Sequence, residues 1–183
     1  MWYIIILAIV GILALYGIIV FNKLVRLKNQ SEESAAAVDA HLKKRYDLIP
    51  NLVETVKGYA THEQETLTQV IDARNRAMSA ATLSERNDEA NAFSATLKSL
   101  FALSESYPDL KANEGFLSLQ NQLNDIESEL LHARKYYNAV IGDINTIVQS
   151  FPSSIVASMT HFTKLPYLTV EEEAHERVSV SFS

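Results

Sequence analysis

Residues 114–152 read EGFLSLQNQLNDIESELLHARKYYNAVIGDINTIVQSFP, and their spacing sets the fold. From Phe116, the residues Leu119, Leu123, Ile126, Leu130, Ala133, Tyr137, Val140, Ile144, Ile147 and Phe151 follow at alternating steps of three and four. A seam sustained for about five heptads predicts a long helix that buries one stripe in a coiled-coil-like bundle. Asn113 offers a side-chain oxygen to cap the first free amides. Pro152 ends the helix, since it has no amide hydrogen and pushes Phe151 away from helical angles.

An equivalent seam runs upstream through Ala35, Val38, Leu42, Arg45, Ile49, Leu52, Val56 and Tyr59, broken only by Arg45. Its register holds across Pro50, which predicts one kinked helix and not two. Between the long seams lie two shorter helical stretches. One covers residues 61–81, with Leu67, Val70, Ile71, Ala77 and Met78 apolar, and opens on a capping-box pattern, Thr61 to Gln64. The other opens on a second box, Thr82 to Glu85, carries the seam Ala90, Phe93, Leu97, Leu100, Ser104 and Tyr107, and closes at Pro108. Gly58 to Thr61 reads either as a turn or as an irregularity within one longer helix. Short connections make successive helices antiparallel, so the expected fold is all-α, an antiparallel bundle of about four long helices.

After Pro152 the pattern changes. Ser153 to Phe162 reads as a short helix with Ile155, Val156 and Met159 on one side; Pro166 breaks it, and Glu171 to Glu173 form an acidic run. Residues 177–182 then alternate polar and apolar, as a half-buried β-strand would. A lone strand finds no edge in a helical bundle. The tail is therefore expected either to fray or to pair with the same tail of a second subunit.

All 16 Lys and Arg and all 22 Asp and Glu lie beyond residue 22. The apolar run from Trp2 to Phe21 is about 20 residues long, enough at about 1.5 Å per residue to cross the roughly 30 Å hydrocarbon layer of a bilayer. It lacks the basic n-region and short core of a cleaved signal, and reads as a retained transmembrane helix. Lys23, Arg26 and Lys28 follow it at once, which places the N-terminus outside and the rest in the cytoplasm, at the inner membrane of the cell. Trp2 and Tyr3 suit an interfacial aromatic anchor. Gly11 and Gly17 lack the four-residue spacing of a helix-association motif, but Ala8, Gly11 and Ala14 form a strip of small residues where helices can approach. No turn signal separates Phe21 from Ala35, so the span is expected to continue into the first bundle helix. The organisation is then a span at 1–22, a bundle at 23–152, and a short helix with an extended tail at 153–183.

A net charge of −6 and a pI near 5.4 argue against nucleic acid as a partner. The absence of cysteine excludes disulfides, thiolate metal sites and a cysteine nucleophile. Glu129 to His132 and Glu172 to His175 show the Glu-x-x-His spacing of di-iron bundles. The first pair falls off the seam and the second lies in the acidic tail, so neither predicts a metal site. His62-Glu63 lacks the second histidine of a zinc helix. No catalytic residue, metal site or cofactor is expected. Lys43, Lys44 and Arg45 lie about 30 Å along the helix from the span, several Debye lengths away, and read as a solvated face with intramolecular pairing. Arg45 alone takes a seam position, and a buried guanidinium requires a carboxylate or carbonyl partner; Asp109 or Glu114, at the loop end, is the expected source. Tyr136, Tyr137 and Asn138 read as packing residues.

The stretch LKKRYDLIPNLVETVKGYATHE at 42–63, YPDLKAN at 107–113, RKYYN at 134–138 and FP at 151–152 together resemble the LemA family. The resemblance runs in order over nearly the whole chain. It implies a bacterial or archaeal membrane protein with one N-terminal span and an antiparallel helical bundle, and it supplies no catalytic residues. One departure is Ala35-Ala36-Ala37-Val38-Asp39, where the family usually carries a tryptophan. Arg45, Tyr46, Pro50, Tyr59, Asp109, Arg134, Tyr137 and Asn138 become the candidate structural or partner-contact positions. The expected function is a membrane-anchored, non-enzymatic scaffold or adaptor, which assembles as a homo-oligomer or presents its bundle to a protein partner. The alternative is a membrane-anchored sensor whose bundle binds a ligand.

Overall fold

Six helices make up the structure, a computed structural model that describes residues 1–60 and 62–170. They are α1 (Trp2–Lys57), α2 (Gln64–Ser79), α3 (Leu83–Ser104), α4 (Pro108–Lys111), α5 (Glu114–Gln149) and α6 (Ser153–Met159). No strand occurs among the described residues. The alternating segment at 177–182 and the Glu172 to His175 pair lie outside them, as does Thr61.

The 56 residues of α1 form one helix about 84 Å long. The expected continuity between apolar run and bundle is therefore realised. Pro50 lies inside α1 without ending it, with Ile49, Leu52 and Val53 buried on either side. A proline in a helix interior leaves the carbonyl four residues earlier without its amide donor. Here that carbonyl belongs to Tyr46, and Arg74 Nε of α2 donates to it at 2.9 Å. The chain breaks between α1, which ends at Lys57 with Gly58 as its C-cap, and α2, which begins at Gln64 with Glu63 at its N-cap. The other two start signals are formed. Thr82 and Glu85 make the reciprocal capping box, whose amide donors hold the Glu85 carboxyl below its usual range, and Asn113 Oδ1 accepts from the Phe116 amide at 2.9 Å.

Contacts between helices fix an up-down-up-down order. Down α5, Asn113 meets Tyr59, Glu127 meets Arg45, Glu129 meets Lys44 and His41, and Tyr136 meets Gln30. Each step along α5 thus matches a step back along α1. On the other side, Asp39 pairs with Arg86 and Arg45 with Ala90 and Ser94, so α3 runs parallel to α1. Beyond Phe21, α1 offers residues 22–57, 36 residues, and α5 is itself 36 residues long. The two helices are matched from the bundle tip to the end of the apolar run. The α2–α3 hairpin covers only the part near the tip.

The interior divides accordingly. Toward the tip, Val38, Leu42, Ile49, Leu52, Phe93, Leu97, Phe116 and Leu130 form the larger cluster, with edge-to-face ring pairs Tyr46–Phe93 and Phe101–Phe116. Toward the apolar run, Val20, Leu24 and Leu27 of α1 meet Val140, Ile141 and Ile144 of α5 and Ala157 of α6. Half-buried Tyr137 touches both. The seams hold except at their ends. Phe151 is 83% exposed and Tyr59 41% exposed, because α5 stops at Gln149 and α1 at Lys57, and a seam position has no face to share once its helix has ended.

The pairing of Arg74 with the carbonyl freed by Pro50 predicts a coupled pair of variants. Arg74→Met should cost about 1–3 kcal/mol, as loss of a charged donor to a buried carbonyl does, in chemical denaturation of the full chain in detergent. In the Pro50→Ala background, where a backbone amide again reaches Tyr46, the same substitution should cost clearly less.

Candidate functional site

The charged residue in the α1 seam is the centre of the bundle's polar interior. Arg45 is 3% exposed. Its Nη2 lies 3.0 Å from Glu127 Oε2 of α5 and donates to Ser94 Oγ of α3 at 2.8 Å; Nη1 donates to the Ala90 carbonyl at 3.3 Å. The guanidinium carbon stands 5.0 Å from the centre of the Phe93 ring, within cation–π range. Burial lowers the Arg45 pKa, against the opposing pull of Glu127. One side chain thereby ties α1, α3 and α5 together.

The carboxylate is Glu127 and not Asp109 or Glu114. Arg45 lies 12 residues before the end of α1, and an antiparallel partner that starts at Glu114 reaches the same height 13 residues in, at Glu127. Asp109, exposed on α4, is left at the tip, about 18 Å away along the axis. Tyr46, next to Arg45, is also buried, and its hydroxyl has no hydrogen-bond partner among the described residues. Burial pushes that phenol up, while the nearby charges of Arg45 and Arg134 pull it down. Arg134 of α5 is 4% exposed.

A second strip on α5, one that the seam reading passes over and that is buried but for half-buried Asn138, begins at Arg134. It continues through Asn138, Ile141 and Asn145 at steps of four, three and four, and it grips the chain beyond α6. Asn138 Nδ2 donates to the Leu168 carbonyl at 2.8 Å, and the Leu168 amide donates back to Asn138 Oδ1 at 2.8 Å. Asn145 does the same with Leu165, at 2.9 and 2.8 Å. Asn87, fully buried on α3, donates to the Thr169 carbonyl at 2.9 Å. Residues 163–170 thus form an extended strap that runs back toward the tip along the groove left open where α3 begins. Leu168 inserts into the larger core, and Leu165 packs on the smaller one. Asn138 and Asn145 each satisfy both polar groups of one strap residue, as a β-bridge would, while Asn87 meets the Thr169 carbonyl alone.

Of the positions singled out from sequence, Arg45, Tyr46 and Arg134 come together inside the bundle, and Tyr137 and Asn138 lie further along α5. Tyr59 is separate, its hydroxyl accepting from Asn113 Nδ2 at 3.0 Å at the tip. Pro50 acts through the Tyr46 carbonyl. Sequence reasoning missed Glu127, Asn145, Asn87 and Arg74. Of these, Asn145 was signalled by its seven-residue spacing from Asn138. The basic cluster pairs within the chain: Lys43 with Asp47 at 2.7 Å and Lys44 with Glu129 at 3.3 Å. Glu129 is engaged there and by His41, while His132 is exposed. Chemically, the Arg45 guanidinium and the asparagine amides hold helices and backbone in place.

These features define a class: an all-helical, up-down-up-down bundle carried on one long N-terminal helix with an apolar, span-length extension. Within it, the chain belongs to the LemA family, whose model matches residues 34–182. Protein LemA of Metamycoplasma hominis is similar to this chain, 24% identical over 166 residues that cover 88% of this chain and 74% of that protein. The family match begins at Ser34, after the apolar run.

Two outcomes test the site. Glu127→Gln should destabilise the protein by about 1–3 kcal/mol, because Arg45 stays buried without its counter-charge, and the double variant Arg45→Met/Glu127→Gln should recover part of that loss in urea denaturation. Asn138→Asp sets a carboxylate oxygen against the Leu168 carbonyl, and should raise the rate of tryptic cleavage after Lys164 while α1–α5 pairing, followed by circular dichroism, persists.

Proposed function

We propose that this protein is a membrane-anchored, non-enzymatic helical scaffold or adaptor that assembles with copies of itself or with a protein partner at the bilayer. The observation that carries the reading is α1: residues 2–15 are all exposed and apolar residues dominate them, yet the same unbroken helix forms the bundle's first seam. An apolar cylinder of span length with no protein around it suits lipid, and its continuity with the bundle makes a stiff stalk. Its mean hydropathy over the most apolar window is 3.1.

Lys23, Arg26 and Lys28, just past the run, favour the bundle in the cytoplasm and the N-terminus outside. Lateral association has an open face to use, since nothing lies within 4 Å of where a Cβ would stand on Gly11, beside Ala8 and Ala14. The buried arginines and paired asparagines then serve to fix one rigid shape for display. LemA membership agrees with this reading and adds no catalytic assignment.

The test is the mass of the full chain in lipid nanodiscs. Particles holding more than one 20.5 kDa chain are expected; strictly single chains would remove self-assembly and leave the adaptor role. A cysteine in place of exposed Ser99, unique in a chain without cysteine, should be protected from impermeant maleimide in intact cells and labelled after lysis.

A further inference from the structure

We propose that the corner between α5 and α6, formed by Phe151, Pro152, Ile155 and Met159, is a second membrane contact that seats in the interface of the same bilayer that α1 crosses. This inference rests on residues 2–21 forming the span.

The placement follows from register. Extending the α1–α5 pairing from Arg45–Glu127 and from Gln30–Tyr136 brings Phe151 level with a stretch of α1 between Leu15 and Phe21, the last turns of the apolar run. Packing agrees, because the smaller core that includes Val20 and Leu24 also takes in Ala157, with Tyr16, Ile147, Val148 and Val156 against it. An element that packs on the end of a span stands at the membrane surface. Its outer face must meet headgroups and the upper acyl chains.

That outer face is apolar. Phe151, Ile155 and Met159, four residues apart along the corner, are 83%, 54% and 77% exposed. Residues 144–163 contain no Asp, Glu, Lys or Arg, a 20-residue stretch matched after residue 22 by no other in the chain. Several polar groups in this stretch are satisfied internally: Ser153 Oγ donates to the Ile147 carbonyl at 2.8 Å, Thr160 Oγ1 to Val156 at 2.8 Å, and Gln149 Nε2 to Asn145 at 3.0 Å. Those groups carry no unmet donor into a lipid interface, and the remaining serine hydroxyls can reach headgroups there. Lys23, Arg26 and Lys28 on α1 fall at headgroup height above the corner, where cations are favoured. Short apolar elements of this kind sink roughly 5–10 Å into the boundary between headgroups and chains.

Depth-dependent quenching in vesicles of phosphatidylcholine and phosphatidylglycerol, with bromine on the upper acyl carbons, tests the proposal on the full chain. Trp2 is the sole tryptophan and reports on the span. The variant Trp2→Phe/Phe151→Trp reports on the corner, and Trp2→Phe/Tyr59→Trp on the tip; both new positions are exposed, so the fold tolerates them, as circular dichroism will check. The expected result is strong loss of emission with blue-shift for the corner reporter and no loss for the tip reporter. Quenching of Trp2 without quenching of the corner reporter overturns this proposal and leaves the span intact. Failure of Trp2 itself to quench, with no flotation on vesicles, overturns the span reading and this one together. A corner reporter that is blue-shifted but unquenched places a protein surface on the corner and also overturns it.

Discussion

The length match between α5 and the part of α1 beyond the apolar run governs this molecule. Both are 36 residues, and because they are antiparallel, every contact between them is set once the tip is made. Tyr59 with Asn113, Arg45 with Glu127 and Gln30 with Tyr136 are rungs of one ladder. The same register delivers α6 to Val20 and starts the strap at the foot of the groove. Shifting α5 by one heptad along α1 would separate Arg45 from Glu127 by about 10 Å and leave the buried guanidinium without its counter-charge.

Two residues that interrupt the apolar logic of α1 are each answered from another helix. Arg45 brings a charge into the seam, and α3 and α5 supply its acceptors. Pro50 removes a backbone donor, and Arg74 of α2 replaces it. Such arrangements add little net stability compared with apolar packing, but penalise alternatives that break them. A uniformly apolar α1 would slide along its neighbours at small cost. This one has a register in which the Arg45 charge and the Tyr46 carbonyl are both met.

How much of this was legible follows from the range over which each signal acts. Heptad seams, the Thr82 and Asn113 caps and the stop at Pro152 depend on neighbours within one helix, and those readings hold from Phe116 to Ile147. The partner of Arg45 depends on the offset between two helices, and proximity to a loop was a poor guide to it; counting from the tip along both helices would have led to Glu127. The strip from Arg134 to Asn145 escaped notice because three of its four residues are polar, and a search for apolar periodicity passes over polar positions. The strap was illegible for a further reason. Its attachment uses the backbone of Leu165 and Leu168, which leaves almost no mark on side-chain pattern.

The unbroken first helix also imposes an order of events during synthesis. A ribosome completes α1 before any residue of α5 exists, and the rungs of the ladder join positions 54 to 106 residues apart. Through that interval the stripe from Leu24 to Val56 lacks its α5 partner, and only its part near the tip can be covered by α2 and α3. Non-local pairing of this kind is slow relative to local helix formation, and exposed apolar surface in the meantime invites wrong association. Ser31 and Ser34, which sit in the stripe with their hydroxyls turned back onto α1's own carbonyls, dilute its greasiness where it must wait longest.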